Sequence, residues 1–300
     1  MGRALRLAWE APGNRRVHDP PLLKSRINSS LPHHYPIIAL MMRVECASPF
    51  LIWGWFGTRQ RSPKAGGARM QIARVGACEV NLQCKLGDGG FGKVYRAKDS
   101  SEDPPVECAA KLVKIISQSD LDAVKQEVQV LQAVAGHPSV IGLRDFVETK
   151  EASRNVRQAW LFMELATGGE LFERLIDAGN LTERATWPYA KALLEGIAHC
   201  HSKGVIHRDV KLENIMLCAE DPNAIKLIDF GLATFTGLTP EGTPKDVLLY
   251  ETVGTKSYRP PEVSNSARSG YLGPPVDVWS LGAPSIRSCQ ECTAPRAQPL

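Results

Sequence analysis

The sequence predicts an α+β chain of two lobes, strands leading and helices following. Between Glu79 and Leu165, short runs of alternating apolar and polar residues are broken by turn residues, the pattern of strands. From Glu170 on, helical spacing dominates. The 300 residues are 43% hydrophobic, enough to bury a core in one domain or two lobes. No internal repeat of 20–50 residues is visible.

Residues 1–75 read as a basic, disordered extension or linker, rich in Arg and Pro. They carry 12 Lys/Arg against 3 Asp/Glu, leaving 24 basic and 29 acidic residues in the remainder. The basic character thus belongs to the extension, and the rest of the chain gives no argument for nucleic-acid binding. The apolar stretch 37–57 invites comparison with a membrane span. Arg43 and Glu45 would cost about 2.5–3.5 kcal/mol each inside it, and Pro49 interrupts it, so the expectation is no membrane. The Arg-rich, acid-poor start also resembles an organelle transit peptide, and that reading stays open beside the disordered one. Eight scattered cysteines, with no secretory signal before them, read as reduced thiols of an intracellular, cytoplasmic protein. The lone Cys289–Cys292 CxxC lacks the second pair a zinc site needs.

Organised structure is expected from near Cys78. Glu79 to Leu86 is a strand, a glycine-rich loop follows, and Val94, Tyr95 and Ala97 mark a second strand. Val106 to Ile116 is a third. Asp120 to Val134 is a helix by the spacing of Leu121, Val124, Val128 and Leu131. Val140 to Val147 and Ala159 to Leu165 are strands; Leu171 to Ala178 and Ala185 to His201 are helices. The organised domain spans 76–282, and 283–300 is a polar tail.

Four motifs carry chemistry. In GDGGFGKV (87–94), Gly87, Gly89 and Gly92 remove the Cβ that would keep a phosphate from the backbone. A strand follows this loop where a dinucleotide fold would place a helix, so the loop reads as a hairpin lid. Ala109-Ala110-Lys111 puts an ammonium on an apolar strand, and Glu127 on the next helix is its candidate partner. HRDVKLEN (207–214) sets Asp209 to accept a hydroxyl proton and Asn214 to ligand Mg²⁺. Asp229-Phe230-Gly231 follows the apolar strand Ile225 to Ile228 and offers a second metal carboxylate.

These motifs, in this order, resemble the eukaryotic protein kinases over about residues 78–282. The resemblance implies the two-lobed kinase fold and phosphoryl transfer from Mg-ATP (ATP, Mg²⁺) to protein substrates. Gly87, Gly89, Gly92, Val94 and Ala109 would enclose ATP. Lys111 would pair with Glu127, Met163 would guard the back pocket, and Glu164 to Ala166 would hydrogen-bond adenine. Asp209, Lys211, Asn214 and Asp229 would form the catalytic centre. Leu131, Leu143, His207 and Phe230 match the four apolar residues that stack in active kinases. Lys211, and Gly254-Thr255 ahead of Tyr258, match serine/threonine rather than tyrosine kinases. GGELFERL (168–175) and KLEN (211–214) resemble the calmodulin-dependent group, whose acids at the positions of Glu170 and Glu213 contact basic substrate residues. Four residues before Thr255, where many kinases carry an activating phosphothreonine facing Arg208, stands Glu251, as in plant calcium-dependent kinases. The other reading keeps Thr252 as the phosphosite.

After Gly282 the resemblance stops. Ala283-Pro284 is expected to end the helix begun by Asp277 to Gly282, leaving the larger lobe cut short. Glu262 of the Pro260-Pro261-Glu262 anchor has no candidate arginine partner. No calmodulin-binding or EF-hand segment follows, so neither calmodulin nor calcium control is expected. The main expectation is a serine/threonine kinase. The alternative is a truncated, catalytically weak product that binds nucleotide or a partner.

Overall fold

Strand alternation produces a six-stranded sheet of order β1-β2-β3-β4-β6-β5. Its strands are β1 (Ile72–Val75), β2 (Cys78–Gly89), β3 (Gly92–Asp99), β4 (Val106–Ile115), β5 (Leu143–Glu151) and β6 (Val156–Glu164), with every pairing antiparallel. The structure is a computed structural model that describes residues 71–89, 92–151, 156–178, 182–221 and 223–288. The stretch 37–57, Gly90, Phe91 and the Cys289–Cys292 pair lie outside the described residues. Among the described residues no helix is long and apolar enough to cross a membrane.

Organised structure begins six residues earlier than expected, because Ile72–Val75 pairs with β2 across the two-residue turn Gly76–Ala77. A four-residue strand containing Arg74 is too short to register as an alternating run, yet Val75 is buried with Cys78, Val80, Ala97, Cys108, Trp160 and Phe162. On the opposite face, Ile115, Ala159 and Leu161 meet helix α1 (Gln118–Ala133). That helix buries Leu121, Val124, Glu127, Val128, Val130 and Leu131, the stripe its sequence spacing predicts.

Helices α2 (Leu171–Ala178) and α3 (Glu183–Ser202) open the second lobe. Short strands follow: β7 (Val205–Ile206), β8 (Ile215–Leu217), β9 (Ile225–Leu227), β10 (Thr234–Phe235) and β11 (Leu248–Leu249). Then come α4 (Pro261–Ser264), α5 (Ser266–Ser269), β12 (Tyr271–Leu272) and α6 (Gly273–Ser288). β8 pairs with β9, β7 with β10, and β11 with β12. One core joins Leu131 and Val134 of the first lobe to Ile197, Leu212, Ile215, Leu227 and Phe230 of the second.

α6 runs on through Ala283 and Pro284 to Ser288, where the sequence suggested a break. A proline removes one i→i−4 bond and crowds one carbonyl, which bends a helix more often than it ends one that is already anchored. Val276, Val278 and Leu281 anchor this one. Pro188 inside α3 is a second instance. The described cysteines Cys78, Cys84, Cys108, Cys200 and Cys218 are free thiols. Burial, followed by the neighbouring Cys108 and Asp99, pushes the Cys78 thiol up to about 12.

Candidate active site

β3 and β4 set the floor of the cleft. Their register places Val94 opposite Lys111, and β4 in turn pairs Ala109 with Met163. Gly92 closes the hairpin at φ +132°, and a Cβ there would stand 2.4 Å from the Leu112 carbonyl, so only glycine fits. Gly87 faces open space, with nothing within 4 Å of a built Cβ. Beside the lid a cavity of about 420 Å³ opens onto α1, lined among others by Asp88, Lys93, Val124, Glu127 and Gly231.

Lys111 and Glu127 are 5% exposed each, and Lys111 Nζ donates to Glu127 Oε1 at 2.6 Å and to Asp229 Oδ1 at 3.1 Å. Burial alone would lower the ammonium's pKa, but Glu127 and Asp229 outweigh it and raise it. Burial raises Glu127, which has one cation to oppose it and the Asp229 charge added against it. Acid therefore breaks the pair by protonating the glutamate, while the ammonium stays charged.

The loop 207–214 is anchored from below by α6. Asp277, fully buried, accepts from His201 Nε2 at 2.9 Å, from the His207 amide at 2.8 Å and from the Arg208 amide at 2.7 Å. His207 Nε2 donates to the Ile228 carbonyl at 3.1 Å while its Nδ1 accepts from the Asp209 amide at 3.3 Å, so a single neutral tautomer satisfies both. Its ring meets Phe230 edge-on with centroids 4.7 Å apart. Leu131 and Phe230 share the core against which Leu143 packs, so all four expected stacking residues lie in this region.

Asp209 is buried. Its Oδ2 accepts from Lys211 Nζ at 2.7 Å, and its Oδ1 accepts from the Thr255 amide at 2.8 Å and the Thr255 hydroxyl at 2.7 Å. Burial opposes its ionisation, but these donors win and hold the carboxyl below its ordinary range. Asn214 Nδ2 donates to the Asp209 carbonyl at 3.0 Å, which leaves its amide oxygen as the ligand atom. Gly254 permits the close approach: at φ +89°, a Cβ there would lie 2.5 Å from the Arg208 carbonyl.

Asn214 and Asp229 supply hard oxygen donors. Among the described residues no cluster of three or more His, Cys, Asp or Glu could hold a metal alone. Two donors fit Mg²⁺, which keeps waters and phosphate oxygens in its shell, better than Zn²⁺. Arg208 Nε donates to the Leu232 carbonyl at 2.7 Å, and its guanidinium pairs with Glu251. Thr252 instead shares a hydrogen bond with Ser266 at 3.0 Å, away from Arg208. Met163 packs on the core at the end of β6, Glu164 closes the strand with Lys226 at 2.6 Å, and Ala166 lies in the connector to α2. Glu170 is raised by burial, then by the charges of Glu173 and Glu213.

Sequence reasoning missed Asp277 and His201 as site-builders. The available signal was a carboxylate between two valines of an apolar helix start, a position that demands a buried partner.

The family described as Protein kinase domain matches residues 80–292. CBL-interacting serine/threonine-protein kinase 1 of Arabidopsis thaliana is 40% identical over 215 residues, covering 70% of this chain and 44% of that protein. Calcium-dependent protein kinase 2 of the same plant is 36% identical over 204 residues, covering 67% and 29%. CBL-interacting protein kinase 11 of Oryza sativa subsp. japonica is 35% identical over 211 residues, covering 69% and 38%. The chain spans less than half the length of these curated relatives. Motif order, two-lobed fold and family match agree, and the chain belongs to the protein kinase family.

Proposed function

We propose that this chain transfers the γ-phosphoryl group of ATP to serine or threonine hydroxyls of protein substrates. The observation that carries the reading is the buried Lys111–Glu127 pair with the half-buried Asp229 on the same ammonium, formed beside a charged Asp209 already held by Lys211 and Thr255. Asp209 orients the substrate hydroxyl and takes its proton as the oxygen–phosphorus bond forms and the bond to the ADP oxygen breaks. Lys211 and Lys111 offset negative charge on either side of the transfer, where positioning and charge neutralisation supply most of the rate. Asn214 and Asp229 would hold Mg²⁺, which supplies charge neutralisation at the phosphates when bound.

Substrates with basic residues near the acceptor fit the acids Glu170, Glu173 and Glu213, of which Glu170 is raised by its burial and then by the charges of the other two. A permanent carboxylate at Glu251 takes the place of an activating phosphate on Arg208.

The test is phosphorylation of a basic Ser/Thr peptide with labelled ATP. Asp229→Ala should abolish metal-dependent transfer. Asp209→Asn should cut kcat at least a hundredfold while leaving ATP affinity within about twofold. Undiminished turnover in either variant overturns the assignment. Wild-type protein that binds ATP but transfers no phosphate would point instead to a nucleotide-binding role.

A further inference from the structure

Two consecutive carbonyls just after Asp229-Phe230-Gly231 are gripped from opposite sides. Arg208 of the catalytic loop donates through Nε to the Leu232 carbonyl at 2.7 Å. Gln126 of α1 donates through Nε2 to the Ala233 carbonyl at 2.8 Å. A carbonyl only accepts, so the amide nitrogen of Gln126 must face it. Ala233 is a fixed post. It is 2% exposed, its amide closes a turn onto the Phe230 carbonyl at 2.9 Å, and Thr234 beside it pairs with Ile206.

Gln126 itself is exposed, so apolar packing does not dictate its side chain. It stands next to Glu127 on the flank of the buried stripe Val124, Val128 and Leu131. A helix seated on one apolar stripe can roll about that stripe, and rolling α1 would carry Glu127 away from Lys111. A polar bond on the flank, to backbone of the other lobe, resists that roll.

We propose that Gln126 is a positioning residue that latches α1 to the segment after Asp229-Phe230-Gly231 and so holds Glu127 in register with Lys111. The latch closes a continuous chain. It runs from Glu251 to Arg208, from Arg208 to Leu232, along the backbone to Ala233, through Gln126 to α1, and so to the Lys111–Glu127 pair. A charge at position 251 is thereby connected to the ATP site without touching it. The inference rests on the kinase reading for its role in turnover, but not for its effect on nucleotide binding.

The experiment uses the full 300-residue chain with Gln126→Met, a neutral residue of similar length without a donor, and Gln126→Lys, which keeps a donor on a flexible stem. Mg-ATP affinity is measured by calorimetry, KM and kcat by peptide phosphorylation, and the melting midpoint by calorimetric scan. If the latch works by keeping the competent register populated, losing it lowers apparent affinity, and saturating ATP restores turnover. Gln126→Met should therefore weaken Mg-ATP binding and raise KM for ATP about threefold to tenfold, the scale of one neutral hydrogen bond, with kcat within twofold. Its midpoint should fall by no more than about 2–4 °C, and Gln126→Lys should recover most of the affinity. Wild-type affinity in Gln126→Met overturns the latch. So does equal weakening in both variants together with a midpoint lowered well beyond that range, which would mark a merely structural residue. If the wild-type chain binds Mg-ATP without transferring phosphate, the kinase reading fails while the affinity comparison still decides the latch.

Discussion

Arg208 and Asp229 both adopt left-handed backbone, at φ 66° and 57°, where neither residue gains what glycine would. Such positions cost about 1–3 kcal/mol each and persist only where the surroundings over-determine them. For Arg208 the surroundings are the Asp277 carboxylate on its amide and the Leu232 carbonyl on its side chain. The strain aims the guanidinium at Glu251, whose side chain is 67% exposed, so water screens the pair and limits its strength. On the proposal that Glu251 stands in for an activating phosphate, one fixed negative charge replaces the roughly 1.5–2 of a phosphate and gives weaker but constant ordering. Phosphatase-treated protein should therefore keep its activity, and Thr252→Ala should be tolerated because Thr252 bonds Ser266 and not Arg208. Glu251→Ala should lower kcat/KM by less than about tenfold. Activity silenced by phosphatase together with an untouched Glu251→Ala would reverse the assignment. The positions of Lys111, Asp209, Asn214 and Asp229 were legible in the sequence because each sits in a short local motif, and Glu127 only in company with those motifs. Asp277 and Gln126 were not, since their partners lie 69 to 107 residues away and nothing local reports the contact.

At the scale of elements, α1 shows how local chemistry sets a boundary that apolar spacing blurs. The spacing began the helix at Asp120; it begins at Gln118, with Ser117 as its cap. Ser117 Oγ accepts from the Asp120 amide at 3.2 Å, and the Ser117 amide donates to Asp120 Oδ2 at 2.7 Å. The Ser-x-x-Asp signature was present, but its acid is Asp where Glu or Gln is usual. Backbone N–H bonds from Ser117 and then Ile116 hold the Asp120 carboxyl below its ordinary range. Ser117→Ala should cost about 1 kcal/mol, a drop of about 2–4 °C in melting midpoint. Glu127 lies nearly three turns further along, anchored by the buried stripe, so fraying at the cap should leave KM for ATP unchanged. A Ser117→Ala variant with raised KM and an unmoved midpoint would show that the cap governs register instead. The extent of α6 escaped the sequence for a different reason. The cost of Pro284, about 3 kcal/mol, is local, whereas the burial of Val276, Val278 and Leu281 that offsets it is visible only in three dimensions.

For the molecule as a whole, the two lobes are joined through a core and a few buried carboxylates, and these set its response to acid. Asp277 is the deepest of them. Burial works against its charge, but the hydrogen bond of His201 and then the backbone amide of His207 hold its carboxyl below the ordinary 3.8. Asp209 is shifted the same way. A carboxyl whose folded pKa lies below its unfolded value binds fewer protons folded than unfolded. Its contribution to stability is therefore full above the unfolded value and is lost as pH falls from there through the folded one. Unfolding free energy, followed by urea titration at several pH values, should vary little between pH 7 and 5 on account of these groups and fall below about pH 4. Asp277→Asn removes the titrating group while leaving a side chain of the same shape. That variant should be less stable at pH 7, because the His201 ring and two loop amides lose their anion. Its further loss between pH 4 and 3 should be smaller than in the wild type. Parallel acid limbs in the two proteins would show that Asp277 is not among the groups that link folding to protons.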